Sequence, residues 1–255
     1  MLNNLVAFDF ETTSVDPETC EILEFGWLLW DFKRDQILRL ANYLTPFRGE
    51  VTPQIQSALR VNKIDIEDTK KHGIPLPTQV FHFAEMLADN RDSIAGLVAH
   101  NGLTFDHIIL SRIFNQALGE KGVELLDSLL KLDTILHVTP EKRGKSLEVL
   151  AARMTWPLAN PFPHRAITDC MTLTRVAKDE GVEKILGYAR EPIFIYVPAP
   201  GTEVKPWKDG GAYNAKLKQL GLRWNGTHWH VQCFESEREA MLAKATELEV
   251  KLALF

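Results

Sequence analysis

The segment Leu5-Val-Ala-Phe-Asp-Phe-Glu11 constrains the fold more than any other stretch of this chain. Apart from its two acids it is aliphatic or aromatic, and such a short apolar run reads as a buried strand. Side chains alternate between the faces of a strand, so Asp9 and Glu11 emerge side by side while Phe8 and Phe10 point to the opposite face. A lone Asp-x-Glu is most often the solvated end of a strand. A strand this apolar belongs in the centre of a sheet, where two adjacent carboxylates call for a partner.

Two further acids break the apolar pattern of helices. Asp106 follows His100-Asn-Gly-Leu-Thr-Phe105 and opens a stretch whose apolar positions are Ile109, Leu110, Ile113 and Phe114. The aspartate therefore lies on the buried stripe of its helix, although a first-turn Asp also favours the helix dipole. Asp169 shares a face with Ala166, Leu173, Val176 and Ala177, and it reads as a mid-helix residue to which the dipole argument does not apply. An ionised carboxylate there must be paired or bound to metal, and no Lys or Arg of the same helix shares the stripe. A long-range salt bridge is the other explanation. His164 lies behind Pro161-Phe-Pro163, in a loop that cannot yet be helical.

Around these residues the chain alternates strands with helices, which implies an α/β layer architecture. Strands are expected at Glu21 to Trp30, Gln36 to Leu44, Ile94 to Ala99 and Leu132 to His137, and Leu5 to Glu11 with the first two of these forms a meander. Helices are expected at Pro53 to Leu59, Thr78 to Ala88, Asp106 to Ala117, Ser146 to Arg153 and Ala166 to Lys178. The runs around Arg190-Glu-Pro192 and Pro198-Ala-Pro-Gly201 break the pattern, dividing the chain into domains 1–190 and 191–255. The second reads as a small α+β unit of order β-α-β-β-α. Its last helix carries a capping-box signal, Ser236 to Glu239, and an apolar stripe of Met241, Ala245, Leu248 and Leu252.

Composition narrows the function classes. The chain has 255 residues, 45% hydrophobic and 25% charged, which is ordinary for a folded protein. No apolar run approaches the roughly 18 residues of a membrane span, and the N-terminus lacks signal-peptide character, so a cytoplasmic location without membrane partners is expected. Three widely spaced cysteines, Cys20, Cys170 and Cys233, offer neither a metal knuckle nor a disulfide framework and read as reduced core thiols. The net charge of -5 argues against coating nucleic acid by bulk electrostatics. An enzyme that meets phosphate through bound metal escapes that objection.

The motifs together resemble the DnaQ-like exonuclease superfamily, in particular its DEDDh branch, over roughly residues 1 to 185. Phe8-Asp-Phe-Glu-Thr-Thr-Ser14, Val98-Ala-His-Asn-Gly-Leu-Thr-Phe-Asp106 and His164-Arg-Ala-Ile-Thr-Asp169 match the three motifs in order. Arg165 stands where the sister branch carries tyrosine. Four residues separate Asn101 from Asp106, one more than in many relatives, which bears on the path of that loop. The resemblance implies an RNase H-like mixed sheet of about five strands flanked by helices. It also implies a metal-dependent 3′→5′ exonuclease that releases nucleoside 5′-monophosphates. Asp9, Glu11, Asp106 and Asp169 would hold two Mg²⁺ or Mn²⁺ ions, His164 would act as general base, and Thr12 and Asn101 would lie near the substrate.

Physical chemistry explains why such a site needs cations. One like-charge pair at 4 Å costs on the order of 4 kcal/mol at an effective dielectric near 20. Two divalent ions neutralise four carboxylates formally, and hard oxygen ligands suit Mg²⁺ and Mn²⁺. Histidine titrates near neutrality, as a base at that pH should.

Between Val204 and His230, in the second domain, five cations, Lys205, Lys208, Lys216, Lys218 and Arg223, stand against Asp209 alone, interleaved with Trp207, Tyr213, Trp224 and Trp229. Charge for phosphates beside rings for unpaired bases is the composition of a single-strand-binding surface. Packing of a small core explains the tryptophans equally well. The expected partner is nucleic acid, with single-stranded or frayed 3′ ends and DNA favoured. An exoribonuclease of the same chemistry, or a non-catalytic nucleic-acid-binding or polymerase-associated module, are the alternatives. Retention of all five functional residues speaks against the last.

Overall fold

The computed structural model describes residues 2–155, 157, 160, 162–200, 202 and 212–255. Pro161, Lys205, Trp207, Lys208 and Asp209 therefore lie outside the described residues. Contacts divide the chain into two compact units, Met1–Val138 with Lys142–Ala189, and Thr139–Glu141 with Arg190–Phe255.

The first unit opens with a meander, β1 (Asn4–Thr12), β2 (Ile22–Asp31) and β3 (Gln36–Leu44). Three helices follow, α1 (Pro53–Asn62), α2 (Ile66–His72) and α3 (Leu76–Asn90), and then β4 (Ile94–Ala99). Next come α4 (Asp106–Leu118), α5 (Glu120–Asp127), β5 (Lys131–Asp133), α6 (Leu147–Ala152), α7 (Ala166–Glu180) and α8 (Val182–Tyr188). The strands form one mixed sheet of order β3-β2-β1-β4-β5, in which β1 runs antiparallel to β2 and parallel to β4. No helix among the described residues is long and apolar enough to cross a membrane.

Strand alternation builds the layers. Val6, Phe8 and Phe10 enter one core with Phe83 of α3 and with Ile109, Leu110, Ile113 and Phe114 of α4. Leu5 and Ala7 enter the other, with Leu150 of α6, Leu173 and Val176 of α7, and Ile185 of α8. β1 is thus the central strand, and its acid-bearing face is the one covered by α7.

β5 is shorter than the Leu132–His137 pattern promises. Asp133 ends it: its carbonyl accepts the N–H groups of Leu136 and His137, closing a turn. Its own N–H donates to His137 Nδ1 at 2.9 Å, a bond a continuing strand could not make.

The second unit comprises β6 (Ile193–Pro198), α9 (Ala212–Gln219), β7 (Arg223–Trp224), β8 (Trp229–Phe234), α10 (Glu235–Glu247) and β9 (Leu252–Leu254). Its sheet order is β7-β8-β6-β9, antiparallel throughout. A final strand therefore follows the expected β-α-β-β-α. Leu252 belongs to that strand and not to the helix stripe, because α10 stops at Glu247 and Glu249 takes a left-handed φ of 56°. The helix begins one residue before Ser236, and its cap differs accordingly: the Glu237 carboxylate accepts the Phe234 N–H at 3.2 Å. Leu217, Leu220, Leu222, Trp229, Ala245 and Val250 form the core.

Candidate active site

The acids of β1 meet a third from α7. One oxygen each of Asp9, Glu11 and Asp169 lie within 4.8 Å of one another, and all three side chains stay partly accessible. Asp9 and Glu11 share the face set by the pleat. Asp169 reaches them from the first turn of α7, not from mid-helix as its apolar stripe implies, so the helix dipole favours its negative charge as well.

Asp106 enters from the side of α4. It is 3% exposed, and its Oδ1 accepts the backbone N–H of Phe10 at 3.2 Å, which fixes it beside the strand that carries Asp9 and Glu11. The loop that delivers it closes as a 3₁₀ turn, Gly102–Thr104. Asn101 takes a left-handed φ of 61° to enter that turn. Asp133, at the end of β5, holds the turn by accepting the N–H groups of Asn101 at 2.9 Å and Leu103 at 3.1 Å. The Asn101 side chain is committed locally, its Oδ1 accepting from Thr104 Oγ1 at 2.8 Å.

Burial and crowding act on all four acids in one direction. Asp9 is raised well above the usual carboxyl range, first by desolvation and then by Asp106, Glu11, Asp169 and Glu24. Desolvation pushes Glu11 up to about 8, helped by Asp169, Glu24 and Asp106 and opposed by Arg165. Asp106 rises to about 7 by desolvation, opposed by the Phe10 N–H. Asp169 rises to about 6 by desolvation, opposed by the His164 N–H. Groups so placed ionise readily only beside added positive charge, and a cluster of carboxylate oxygens is the donor set that hard divalent cations take.

His164 sits in the loop before α7 with a left-handed φ of 62°. That turn aims its N–H at Asp169 Oδ2, 3.1 Å away, while Asn160 Nδ2 donates to Asp169 Oδ1 at 2.6 Å. These two bonds supply partners for the Asp169 carboxylate, where the sequence left a long-range salt bridge as an alternative. The imidazole, 46% exposed, extends with Nε2 3.9 Å from Glu148 Oε1 of α6. It therefore keeps access to solvent next to the acids.

A groove of about 430 Å³ borders the centre, lined by Phe10 to Val15, by Gln54, Ser57, Ala58, Val61 and Asn62 of α1, and by Phe105. Thr12 lies on its wall and donates its hydroxyl to the Ser14 carbonyl at 2.7 Å. The remaining substrate candidates belong to elements of the second unit. Lys216 pairs with Glu249 at 3.1 Å. Lys218, Arg223 and Trp224 line a cleft of about 290 Å³ with Leu222 and Trp229. Trp229 is a core residue at 2% exposure, and Trp224 stands edge-on to it with ring centroids 6.1 Å apart.

Sequence reasoning missed Asp133, Asn160, Glu148 and Glu24. Asp133 has a local signal, an acid ending an apolar strand. Glu24 and Glu148 act through partners further along the chain, Arg165 and His164, and Asn160 through Asp169, nine residues on, and nothing in their neighbours marks them.

The exonuclease family profile RNase_T matches residues 6–177. No curated protein sequence matches the chain significantly. Among solved structures, Escherichia coli exonuclease I in complex with a dA16 oligonucleotide aligns with a TM-score of 0.55 at 10% identity, over 97% of this chain and 68% of that one. Exonuclease I of Methylocaldum szegediense aligns with a TM-score of 0.56 at 11% identity, over 97% and 68%. Pop2p of S. pombe, in a form with bound Mg²⁺ and Mn²⁺, aligns with a TM-score of 0.53 at 16% identity, over 68% and 81%. With the family matched across two thirds of its length and four acids converging on the central strand, this chain belongs to the exonuclease family, a nuclease built on the RNase H-like fold of the DnaQ superfamily.

Proposed function

We propose that the protein is a 3′→5′ exonuclease that removes nucleoside 5′-monophosphates from single-stranded or frayed 3′ ends, with DNA as its favoured substrate. The observation that carries this reading is the convergence of Asp9, Glu11 and Asp169 within 4.8 Å, completed by Asp106 hydrogen-bonded to the intervening strand. Those four carboxylates would hold two Mg²⁺ or Mn²⁺ ions. When bound, such ions polarise the phosphate, lower the pKa of water and stabilise the leaving oxygen.

The chain's own groups do the rest. His164, exposed on its loop beside the acids, takes the proton of the attacking water, and Glu148 Oε1 lies 3.9 Å from its Nε2. The groove walled by Thr12, Ala58 and Phe105 receives the terminal nucleoside, its apolar sides excluding water from the sugar and base. Asn101 shapes the second-motif loop through its backbone and Thr104. DNA is favoured because the exonuclease I complexes that cover nearly the whole chain hold deoxyoligonucleotides. Cys20, Cys170 and Cys233 are all buried, as core thiols are. The unit from Arg190 onward is assigned an accessory role in holding the strand through Lys216, Lys218, Arg223 and Trp224.

The test is incubation with 3′- and 5′-end-labelled single-stranded DNA, duplex DNA and RNA, with Mg²⁺, Mn²⁺ or EDTA. The expected result is metal-dependent release of 5′-mononucleotides from the 3′ end, fastest on single-stranded DNA and absent in Asp9→Ala. Release from the 5′ end, or activity in EDTA equal to that with metal, overturns the reading. Faster turnover of RNA replaces the substrate while keeping the chemistry.

A further inference from the structure

A fifth carboxylate adjoins the acidic centre without a part in the proposed chemistry. Glu24 is fully buried in β2 and stands opposite Glu11 in the β1–β2 register. Arg165 grips it from the residue before α7: Nη2 lies 2.6 Å from Oε1, and Nε lies 3.1 Å from Oε1 and 3.0 Å from Oε2. The Ala166 N–H donates to Oε2 at 3.0 Å, and Asn42 Nδ2 of β3 donates to Oε1 at 2.8 Å. One side chain thus joins two strands and the start of a helix that lies more than 140 residues further along the chain.

The neighbouring position on the same strand face completes the attachment. Gly26 stands opposite Asp9, and a Cβ at Gly26 would fall 2.7 Å from the Ala166 carbonyl carbon and from the Ile167 nitrogen. The first turn of α7 consequently rests on bare β2 backbone, with Cys170 Sγ 3.4 Å from the Gly26 carbonyl. The two rungs of β2 that face Asp9 and Glu11 are therefore the two rungs that hold the beginning of α7.

We infer that Glu24 and Arg165 are a positioning pair for the acidic centre: their ion pair fixes the start of α7, and with it Asp169 and His164, against Asp9 and Glu11. The inference rests on the proposed metal-dependent site. Geometry makes both partners specific. A guanidinium presents a planar fork that an ammonium lacks, and a buried carboxylate deprived of its cation becomes an uncompensated charge. Here that charge would stand directly opposite Glu11.

The experiment compares wild type, Glu24→Gln, Arg165→Lys, the double variant Glu24→Gln/Arg165→Met, and Asp9→Ala. For each, the metal-free melting temperature, the Mn²⁺-induced melting shift, and the Mn²⁺ concentration for half-maximal hydrolysis of a labelled single strand are measured well below the melting point. Loss of an interaction that orients metal ligands commonly costs about 10–100-fold in metal affinity or activity, and an increase of that size in half-saturating Mn²⁺ is expected for Glu24→Gln and the double variant. Arg165→Lys, which keeps the charge and loses the fork, should fall between them and wild type. Folded variants with wild-type Mn²⁺ dependence and turnover, and only a lower melting temperature, would reduce the pair to a brace and overturn the inference. If a single variant does not fold, the double variant, which leaves no bare buried charge, decides the matter by the same criterion. Should Asp9→Ala match wild type, or wild type show neither hydrolysis nor a Mn²⁺ shift, the failure lies in the site reading itself.

Discussion

The carboxylate of Asp106 accepts the backbone N–H of Phe10 at 3.2 Å across 96 residues of chain, so the second acidic motif is hydrogen-bonded to the strand that carries the first. The bond lies between the two β1 acids in sequence and makes Asp106 part of the metal-free architecture as well as a candidate ligand. Mg²⁺ or Mn²⁺ should raise the melting temperature of wild type more than that of Asp106→Ala, because an ion that binds only the folded state stabilises it by mass action. Thermal melts across a metal titration decide this. Equal shifts in the two proteins would place the metal elsewhere.

Removing Asp9 or Asp169 should separate activity from stability. Each alanine variant loses a candidate ligand while relieving a crowd of carboxylates that raise one another's pKa. Hydrolysis should disappear, whereas the melting temperature in EDTA should stay level or rise. Wild-type turnover in either variant would remove that residue from the metal centre.

The same crowding gives a pH signature. Glu11, Asp106 and Asp169 are raised to about 8, 7 and 6, against unfolded carboxyl values near 4. A carboxyl raised in the folded state contributes stability that is complete below its unfolded pKa and is lost as pH rises through its folded pKa. Metal-free protein should therefore lose this contribution between about pH 4 and about pH 8, and added Mg²⁺ should restore more stability at pH 8 than at pH 6. Denaturant unfolding at several pH values, with EDTA or with metal, reads both slopes. In Asp9→Ala the metal-free decline should be shallower.

His164→Ala should lower turnover by roughly 10²–10⁴-fold, the usual worth of a general base, and leave the metal-induced melting shift intact. Its peptide N–H still donates to Asp169 in the variant, since that bond comes from the backbone. The residual activity should lose the acidic limb of the wild-type pH profile. An unchanged profile would make the imidazole a bystander.

What was legible in the sequence follows from the range over which each signal acts. The Asp9 and Glu11 face, the Phe8 and Phe10 core and the Asp106 stripe are consequences of local periodicity, and the packing reproduces them. The Leu132–His137 strand failed because its apolar pattern carries no trace of the bond from the Asp133 N–H to His137 that turns the chain. The Ser236 cap failed by a shift of two residues: Phe234 is the cap and Glu237, not Glu239, supplies the carboxylate, because α10 starts directly at the end of β8. Glu24 was illegible for a different reason. Within Ile22-Leu-Glu-Phe25 it is one acid in an apolar strand, and its meaning depends on register with Glu11 and on Arg165, both distant in sequence.

The final prediction concerns the second unit: a chain ending at Arg190 should remain a folded, active nuclease that binds long single strands more weakly. Folding should survive because, among the described residues, the two cores that sandwich the five-stranded sheet draw on none beyond Ala189, and the core of the second unit draws on none before Tyr213. Affinity should fall because the truncation removes Lys216, Lys218, Arg223 and Trp224, a cationic and aromatic set of the kind that phosphates and unpaired bases engage. What remains is acidic. Residues 1–190 carry 21 basic and 26 acidic side chains, whereas Glu191 to Phe255 carry eight of each. The loss should show in the concentration dependence on long substrates with little change on a dinucleotide too short to reach a second binding surface, and it should shrink as salt rises, since counterion release drives phosphate contacts. Full-length and truncated protein compared on both substrates at two salt concentrations distinguish the outcomes. Equal binding of the long strand by both forms would leave Trp224, like Trp229, as packing within a small domain, and would remove the second unit from substrate recognition.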